Sequence, residues 1–228
     1  MGAVMWGLGR WIGAVIVFVV LGLAGWWFAV HWRPSTEEFP IQGVDVSAAT
    51  GVIDWGTAKA EGVDFAYVLA TTGDKGRDPA FEGHWAALAD SGIRRGAMHA
   101  WSLCRLAADQ ADHFNAVVPR MPDALPAVVA FDFAPDCADR PAREVLLREV
   151  ATFLERVERH TGERVLIRVT PAFDKQYRLS EGLPRTFWAT GGWFAPSYLA
   201  RPWRMWQANA ARAVEGFEAP VGWDVVAP

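Results

Sequence analysis

Two aspartates stand where a pair of carboxylates could carry out chemistry. Asp45 ends the first predicted strand and Asp132 ends the fourth. Glycoside hydrolysis uses such a pair: one carboxylic acid protonates the leaving group, and the other carboxylate stabilises or attacks the anomeric carbon. His99 ends the third strand, and Trp206 with Gln207 ends the seventh. These residues make carboxylate-assisted chemistry on a sugar the first hypothesis.

The scaffold must bring the ends of several strands together. Short apolar or β-branched runs predict strands at 43–46, 64–70, 94–100, 126–133, 165–169, 186–190, 203–207 and 221–226. Helices are predicted between the early ones, at 55–61, 79–91, 107–118 and 140–161. This alternation is typical of an α/β fold with a parallel sheet, and about eight strands predict a small closed barrel resembling a TIM barrel. In such barrels the chemistry lies on loops at the carboxyl ends of the strands.

Composition excludes several classes of protein. The chain has 228 residues, 22 Lys and Arg against 26 Asp and Glu, and only 2 Cys. An acidic balance argues against a nucleic-acid partner, which would require a basic face. Two cysteines are too few for a disulfide-rich miniprotein or a four-cysteine zinc site. The histidines show no metal-ligand spacing, so no metal and no cofactor are expected. The oligomeric state is left open.

The amino-terminal region predicts a single transmembrane helix. Residues 11–30 are uncharged, and a helix of that length spans about 30 Å, the hydrocarbon thickness of a bilayer. A cleaved signal peptide is the alternative, although its apolar core is usually only ~7–15 residues long. The expected order is a short segment at 1–10, a membrane helix at 11–32, a linker at 33–40 and a barrel domain at 41–228. Because residues 1–34 contain two arginines and no acid, the remainder has a net charge of −6.

The domain resembles glycoside hydrolase family 25, the cellosyl-type lysozymes. The resemblance rests on GVDVS at 43–47, GVDFAYVLAT at 62–71, DPAF at 78–81, SGIRRGAMH at 91–99 and LPAVVAFDF at 125–133. It is weaker at Trp188, at Trp206 with Gln207, and in VGWDVV at 221–226, and it covers roughly 41–226. It implies a flattened β/α barrel that cleaves the β-1,4 bond between N-acetylmuramic acid and N-acetylglucosamine in peptidoglycan glycan strands.

The resemblance implies catalytic roles for Asp132 and Asp45, but the family pattern is degenerate here. The usual Asp-x-Glu reads Ala130-Phe131-Asp132, with Asp132 at the general-acid position and Asp45 at the assisting position. Asp is one methylene shorter than Glu, and a misplacement of about 1 Å can cost on the order of 10²-fold in rate. Two hypotheses follow: a muramidase with weakened activity, or an inactive module that binds peptidoglycan or a periplasmic partner.

Other departures affect the expected cleft. Thr72 stands where a Glu is usual, and Met98 and Arg168 stand where Tyr is usual. Arg168 is expected either to pair with Asp132 or to recognise an anionic group. The terminal Asp of the family corresponds to Gly222 without a gap, or to Asp224 with a shift.

The residues expected to bind substrate are Asp224, His99, Trp206, Gln207, Trp188 and Arg168. Each has a structural alternative. His99 is more often a hydrogen-bonded structural histidine than a catalyst. Trp188 and Trp206 serve equally well as core residues or as platforms for sugar rings.

Cys104 and Cys137 follow strands three and four, on one rim of the barrel. Some bacterial relatives resemble this chain in having cysteines at these places, which implies a disulfide; two reduced thiols are the alternative. A disulfide implies an oxidising compartment. The charges that flank the apolar run are nearly balanced and do not decide its orientation, so the expected disulfide decides it. We therefore expect an inner-membrane protein with one span, a cytoplasmic amino terminus and its domain in the periplasm or exterior.

Overall fold

A computed structural model describes residues 2–135 and 137–228, without the side chains of positions 2–10, 12 and 14. The chain forms two compact units, Met1–Trp32 and Arg33–Pro228. The first contains one helix, α1, at Gly2–His31. Within the described residues, no helix combines the length and the apolar character that a membrane crossing requires. The transmembrane helix predicted over residues 11–32 is therefore not supported. Residue 1 and all side chains of the predicted 1–10 segment lie outside the described part.

The second unit alternates strands and helices. Its strands are β1 Gln42–Val46, β2 Phe65–Thr72, β3 Gly76–Arg77, β4 Arg94–Ala100, β5 Val128–Phe131, β6 Leu166–Val169, β7 Phe187–Thr190, β8 Trp203–Arg212 and β9 Val221–Val226. Its helices are α2 Trp55–Ala60, α3 Phe81–Ser91, α4 Ala107–Val117, α5 Arg143–Thr161, α6 Pro171–Tyr177 and α7 Leu179–Gly182, with a 3₁₀ turn at Ala48–Thr50. The eight predicted strands and four predicted helices are confirmed. The short elements β3, α6 and α7 were not predicted.

Eight of the strands close into a barrel. The order is β1-β9-β8-β7-β6-β5-β4-β2, and pairing of β1 with β2 completes the circle, while β3 extends β2 as a hairpin. This architecture confirms the predicted mixed α/β barrel. The predicted parallel sheet is not parallel throughout, because β9 runs antiparallel to both β1 and β8, and the short β3 runs antiparallel to β2. Only residues 213–220 connect β8 to β9, and a parallel return would need a dozen or more residues.

Local sequence explains where the main helices begin and end. Asp54 caps α2, since its Oδ1 accepts hydrogen bonds from the backbone N–H groups of Gly56 and Thr57 at 3.0 and 3.1 Å. Helix α5 ends at Gly162, whose φ of 83° is the left-handed conformation that glycine adopts easily. The buried face of α5 repeats at helical spacing and consists of Leu146, Val150, Phe153, Leu154 and Val157.

Side chains from most of the strands pack together inside the barrel. One hydrophobic cluster joins Phe65, Tyr67, Met98, Val128, Leu166, Trp188 and Met205. These residues lie on six different strands, so the cluster holds the barrel closed across its axis. The middle of the barrel is therefore a packed core rather than a pore.

Candidate functional site

A cleft of about 390 Å³ opens at the carboxyl ends of the parallel strands. We call it the carboxyl-end cleft. Both predicted catalytic residues line it: Asp45 near the end of β1 and Asp132 directly after β5. Arg168 of β6 lines it with them. Its apolar wall includes Leu69, Met98, Ala100, Trp101, Ala130 and Phe133. The fold thus brings two carboxylates and one guanidinium to the same mouth.

Asp45 is held by two neighbours. Gln207 Nε2 donates a hydrogen bond of 2.6 Å to Asp45 Oδ1. Arg168 Nη2 lies 3.7 Å from Asp45 Oδ2, and the two side chains are only 19% and 17% exposed. A third residue, Gly222, faces the carboxylate directly, since a Cβ at that position would lie 1.9 Å from Asp45 Oδ1. The Asp45 carboxylate therefore has a defined orientation.

Asp132 is exposed and is oriented differently. Its Oδ1 accepts hydrogen bonds from the Phe133 backbone N–H at 2.8 Å and from Thr170 Oγ1 at 3.1 Å. No ion pair to Asp132 is found among the described residues, and the cation that could have made one, Arg168, turns to Asp45 instead. The expectation that Arg168 pairs with Asp132 is thus wrong. Asp132 is left open to solvent at the mouth of the cleft.

Asp224 lies behind the cleft. It pairs across the sheet with Gly43, two residues deeper in the barrel than the pairing of Gly222 with Asp45. The side chain is fully buried, and burial, followed by the negative charge of Asp45, raises the pKa of Asp224 well above its usual range. The protonated acid is therefore favoured. Asp224 does not line the cleft, contrary to its predicted role in substrate contact.

His99 is buried outside the barrel wall. Met98 and Ala100 point into the cleft, so His99 between them points to the opposite face of β4, as successive residues of a strand do. There Nδ1 lies 2.7 Å from Thr71 Oγ1, Nε2 lies 3.2 Å from Gln110 Oε1, and burial lowers the pKa of His99 to about 4. The structural alternative therefore describes His99, which does not line the carboxyl-end cleft.

The two predicted tryptophan platforms are also buried. Trp188 is fully buried, with the Arg168 guanidinium 5.2 Å from its ring centroid. Trp206 is 3% exposed and packs against Phe39 and Trp203. Neither lines the carboxyl-end cleft. Gln207 acts indirectly, through its hydrogen bond to Asp45, so Arg168 alone among the six predicted binding residues lines the cleft.

Three cleft residues were missed from the sequence. Trp101 and Phe133 line the cleft, and Thr170 binds Asp132. Trp101 follows the last residue of β4, and Thr170 follows the last residue of β6. The rule that identified Asp132, a functional side chain at the carboxyl end of a strand, applies to Trp101 and Thr170 as well.

A disulfide joins two loops of the rim. Cys104 and Cys137 are bonded, with their Cα atoms 5.9 Å apart. The loop after β4 contains Trp101 and Cys104, and the loop after β5 contains Phe133 and Cys137. The covalent link therefore ties together two loops that both contribute to the cleft. Within the described residues, no group of three or more His, Cys, Asp or Glu side chains could hold a metal ion.

Comparison with known proteins agrees with this architecture. The family model described as glycosyl hydrolases family 25 matches residues 44–217. The Escherichia coli (strain K12) protein YegX, described as uncharacterized, is 30% identical over 199 residues, which are 82% of this chain and 70% of YegX.

Two solved structures have the same fold. A family 25 glycosyl hydrolase from Bacillus anthracis superposes with a TM-score of 0.79 at 28% identity, covering 86% of this chain and 93% of that one. The bacterial lysozyme from Streptomyces coelicolor gives a TM-score of 0.73 at 25% identity, covering 82% and 91% of the two chains. The closed barrel, its carboxyl-end cleft and these matches together show that the chain belongs to glycosyl hydrolase family 25.

Proposed function

We propose that the barrel acts on peptidoglycan glycan strands as a muramidase of weakened activity, with Asp132 as general acid and Asp45 as the assisting carboxylate. The observation that carries the proposal is that Asp45 and Asp132 line one cleft at the carboxyl ends of the strands. In this mechanism Asp132 protonates the oxygen that leaves from the β-1,4 bond. As the glycosidic bond breaks, Asp45 stabilises the positive charge that develops at the anomeric carbon. Water then adds to that carbon and returns a proton to the Asp132 carboxylate.

The surroundings of the two carboxylates suit this division of roles. Asp132 is exposed at the mouth, where a glycan could reach it, and Thr170 fixes one of its oxygens. Asp45 is mostly enclosed and is held from two sides by Gln207 and Arg168. A carboxylate held in place before the reaction needs no reorganisation as charge develops, which lowers the barrier.

Weakened activity is supported by the residues that form the cleft wall. Ala130, Met98 and Thr72 line the cleft at positions where the family resemblance would place Asp, Tyr and Glu. Three polar groups that could orient a sugar are therefore replaced by an apolar or shorter side chain. With fewer hydrogen bonds to the substrate, binding energy that would otherwise position the scissile bond is lost.

Digestion of purified sacculi tests the proposal. The full chain, Asp132→Asn and Asp45→Asn would each be incubated with sacculi, and new reducing ends would be measured. Asp90→Asn is a matched control, because Asp90 lies on the exposed face of α3 and its substitution also removes one negative charge. We expect slow release by the native chain and by the control, and loss of release in both cleft variants. Equal release by all four proteins would exclude Asp132 and Asp45 from catalysis.

A binding module without hydrolysis is the second candidate, and the same replaced wall residues favour it. In that case sacculi would sediment the native chain while no reducing ends appear. Arg168→Gln would then weaken sedimentation, because it removes the one cation on the cleft wall within the described residues.

We also propose that the domain works outside the cytoplasm, attached to the membrane. The disulfide supports an oxidising compartment. The uncharged run at 11–30, and exposed apolar side chains of α1 such as Phe18 and Leu21, support attachment. Carbonate extraction of membranes from producing cells is the test. Val19→Arg with Leu23→Arg should release the chain into the extract. As a control, Val52→Arg with Leu106→Arg changes two exposed apolar residues of the barrel unit and should have no effect.

A further inference from the structure

A second cavity lies at the other end of the barrel. Its volume is about 650 Å³, larger than that of the carboxyl-end cleft, and the two share no lining residue. It is lined by the residues with which the parallel strands begin, Phe65 of β2, Arg94 of β4 and Leu166 of β6, and by Val226 at the end of antiparallel β9. We call it the amino-end cavity.

The depth of the amino-end cavity is apolar. Phe65, Tyr67, Leu166 and Met205 form its inner wall, and each is less than 7% exposed. The Tyr67 hydroxyl is satisfied by a hydrogen bond of 3.2 Å that it donates to the carbonyl of Pro126. At the mouth Ile41 is 49% exposed. A hydrocarbon chain that binds against this wall removes its apolar surface from water, which is favourable.

The mouth of the cavity is basic. Lys59, Arg94, Arg164 and Arg204 line it, against a single carboxylate, Asp64. Lys59, Arg164 and Arg204 donate to the backbone carbonyls of Gly92, Pro184 and Ala227 at distances of 3.3, 2.8 and 3.0 Å.

None of these four cations forms an ion pair with a carboxylate of the described chain. Elsewhere in the barrel unit, by contrast, Arg156, Arg178 and Arg185 each pair with an Asp or a Glu. A concentration of unpaired positive charge is unexpected in a domain whose net charge is −6. It attracts an anion to the mouth of an apolar cavity.

We propose that the amino-end cavity binds an anionic phospholipid, with part of an acyl chain in the cavity and the phosphate at the basic mouth. The ligand must be apolar at one end and anionic at the other, because the two parts of the site differ in that way. Three of the four cations are arginines, whose planar fork of N–H groups matches phosphate oxygens. The proposal concerns the face opposite the cleft and does not depend on hydrolysis.

Lipid binding by the full chain in an uncharged detergent tests the proposal. Native mass spectrometry would compare phosphatidylglycerol with phosphatidylcholine of the same acyl chains, and glycerol 3-phosphate would serve as a headgroup without a chain. We expect phosphatidylglycerol to bind best. Arg94→Gln with Arg204→Gln should weaken its binding about tenfold or more, given roughly 1 kcal/mol for each cation near an anionic lipid.

Two further variants separate the parts of the site. Arg148→Gln with Arg159→Gln makes the same change of charge on the exposed face of α5 and should leave binding unchanged. Ile41→Trp places a larger side chain at the mouth of the cavity. It should weaken the binding of phosphatidylglycerol more than the binding of glycerol 3-phosphate. Because α1 is present in every variant, differences among them report the cavity.

The proposal fails if phosphatidylcholine binds as well as phosphatidylglycerol, or if both pairs of arginine substitutions have the same effect. It also fails if glycerol 3-phosphate binds as tightly as the lipid, since the site would then recognise phosphate alone. Far-ultraviolet circular dichroism and a melting curve would show that each variant is folded.

Discussion

The carboxylate of Asp45 occupies the space that Gly222 leaves empty. A Cβ at position 222 would lie 1.9 Å from Asp45 Oδ1 and 2.5 Å from Gln207 Nε2, so neither side chain could keep its place beside an alanine. Glycine at this position is therefore required for the observed orientation of Asp45. The requirement is steric and does not depend on backbone conformation.

Gly222→Ala should abolish or strongly reduce any release of reducing ends from sacculi. A displacement of about 1 Å can cost on the order of 10²-fold in rate. Gly83→Ala is the control, because a Cβ there meets nothing within 4 Å, and alanine favours the helix. If Gly222→Ala is as active as the control, the position of Asp45 has no catalytic importance.

Ala130→Asp combined with Asp132→Glu should raise muramidase activity by roughly one to two orders of magnitude, since a better-placed acid recovers what misplacement costs. Both positions line the cleft, so the new carboxylates have room at the mouth. The initial rate of reducing-end formation would be compared with that of the native chain and of each single variant. An inactive double variant would indicate that the wall residues, rather than the acid, limit the reaction.

His99 should make the barrel less stable in mild acid. Its pKa is about 4 in the folded protein and about 6.5 when unfolded, so the unfolded chain takes up a proton first as the pH falls. The free energy of unfolding should therefore decrease from about pH 6.5 towards pH 4, by up to about 3 kcal/mol. Urea denaturation at several pH values measures this, and His99→Gln should reduce the dependence.

Asp224 should change the free energy of unfolding with pH in the opposite direction to His99. Burial raises its pKa, so above about pH 4 the folded state holds a proton that the unfolded state releases. Its contribution to stability is therefore present at low pH and is lost as the pH rises through the folded-state value. Asp224→Asn keeps the shape of the protonated acid and cannot ionise. It should increase the free energy of unfolding at neutral pH, and an unchanged or lower value would show that Asp224 is already ionised in the native barrel.

Loss of the disulfide should destabilise the barrel. Cys104 and Cys137 are 33 positions apart, and closing a loop of that length in the unfolded chain corresponds to about 3–4 kcal/mol. Cys104→Ser with Cys137→Ser should lower the midpoint of urea denaturation by the corresponding amount. Dithiothreitol should have the same effect on the native chain and none on the double variant, which serves as the control for reduction.

Local sequence patterns were sufficient for most of the architecture. Alternating apolar runs predicted the strands, and helical spacing of apolar residues predicted α5, because these patterns reflect which face of an element is buried. They were insufficient for β9. Its direction depends on the length of its connection to β8 and on the closure of the barrel, and neither is visible in the strand itself.

Some residues of the candidate site could be placed from the sequence, and others could not. The position of Asp45 and Asp132 at the carboxyl ends of predicted strands was enough to place them at one end of the barrel, since the carboxyl ends of parallel strands share one face. The placement of His99 and Trp188 was not predicted, because a residue near a strand end can point to either side of the sheet.

The sequence by itself determined the family, the order of the elements and the end of the barrel at which the carboxylates lie, since all three follow from local patterns and motifs along the chain. Only the tertiary structure decided that Arg168 and Gln207 hold Asp45, that Asp224 is buried behind it, and that four cations surround a second cavity. These relationships join residues as far apart as positions 45 and 207, and contacts over such separations exist only once the barrel has closed.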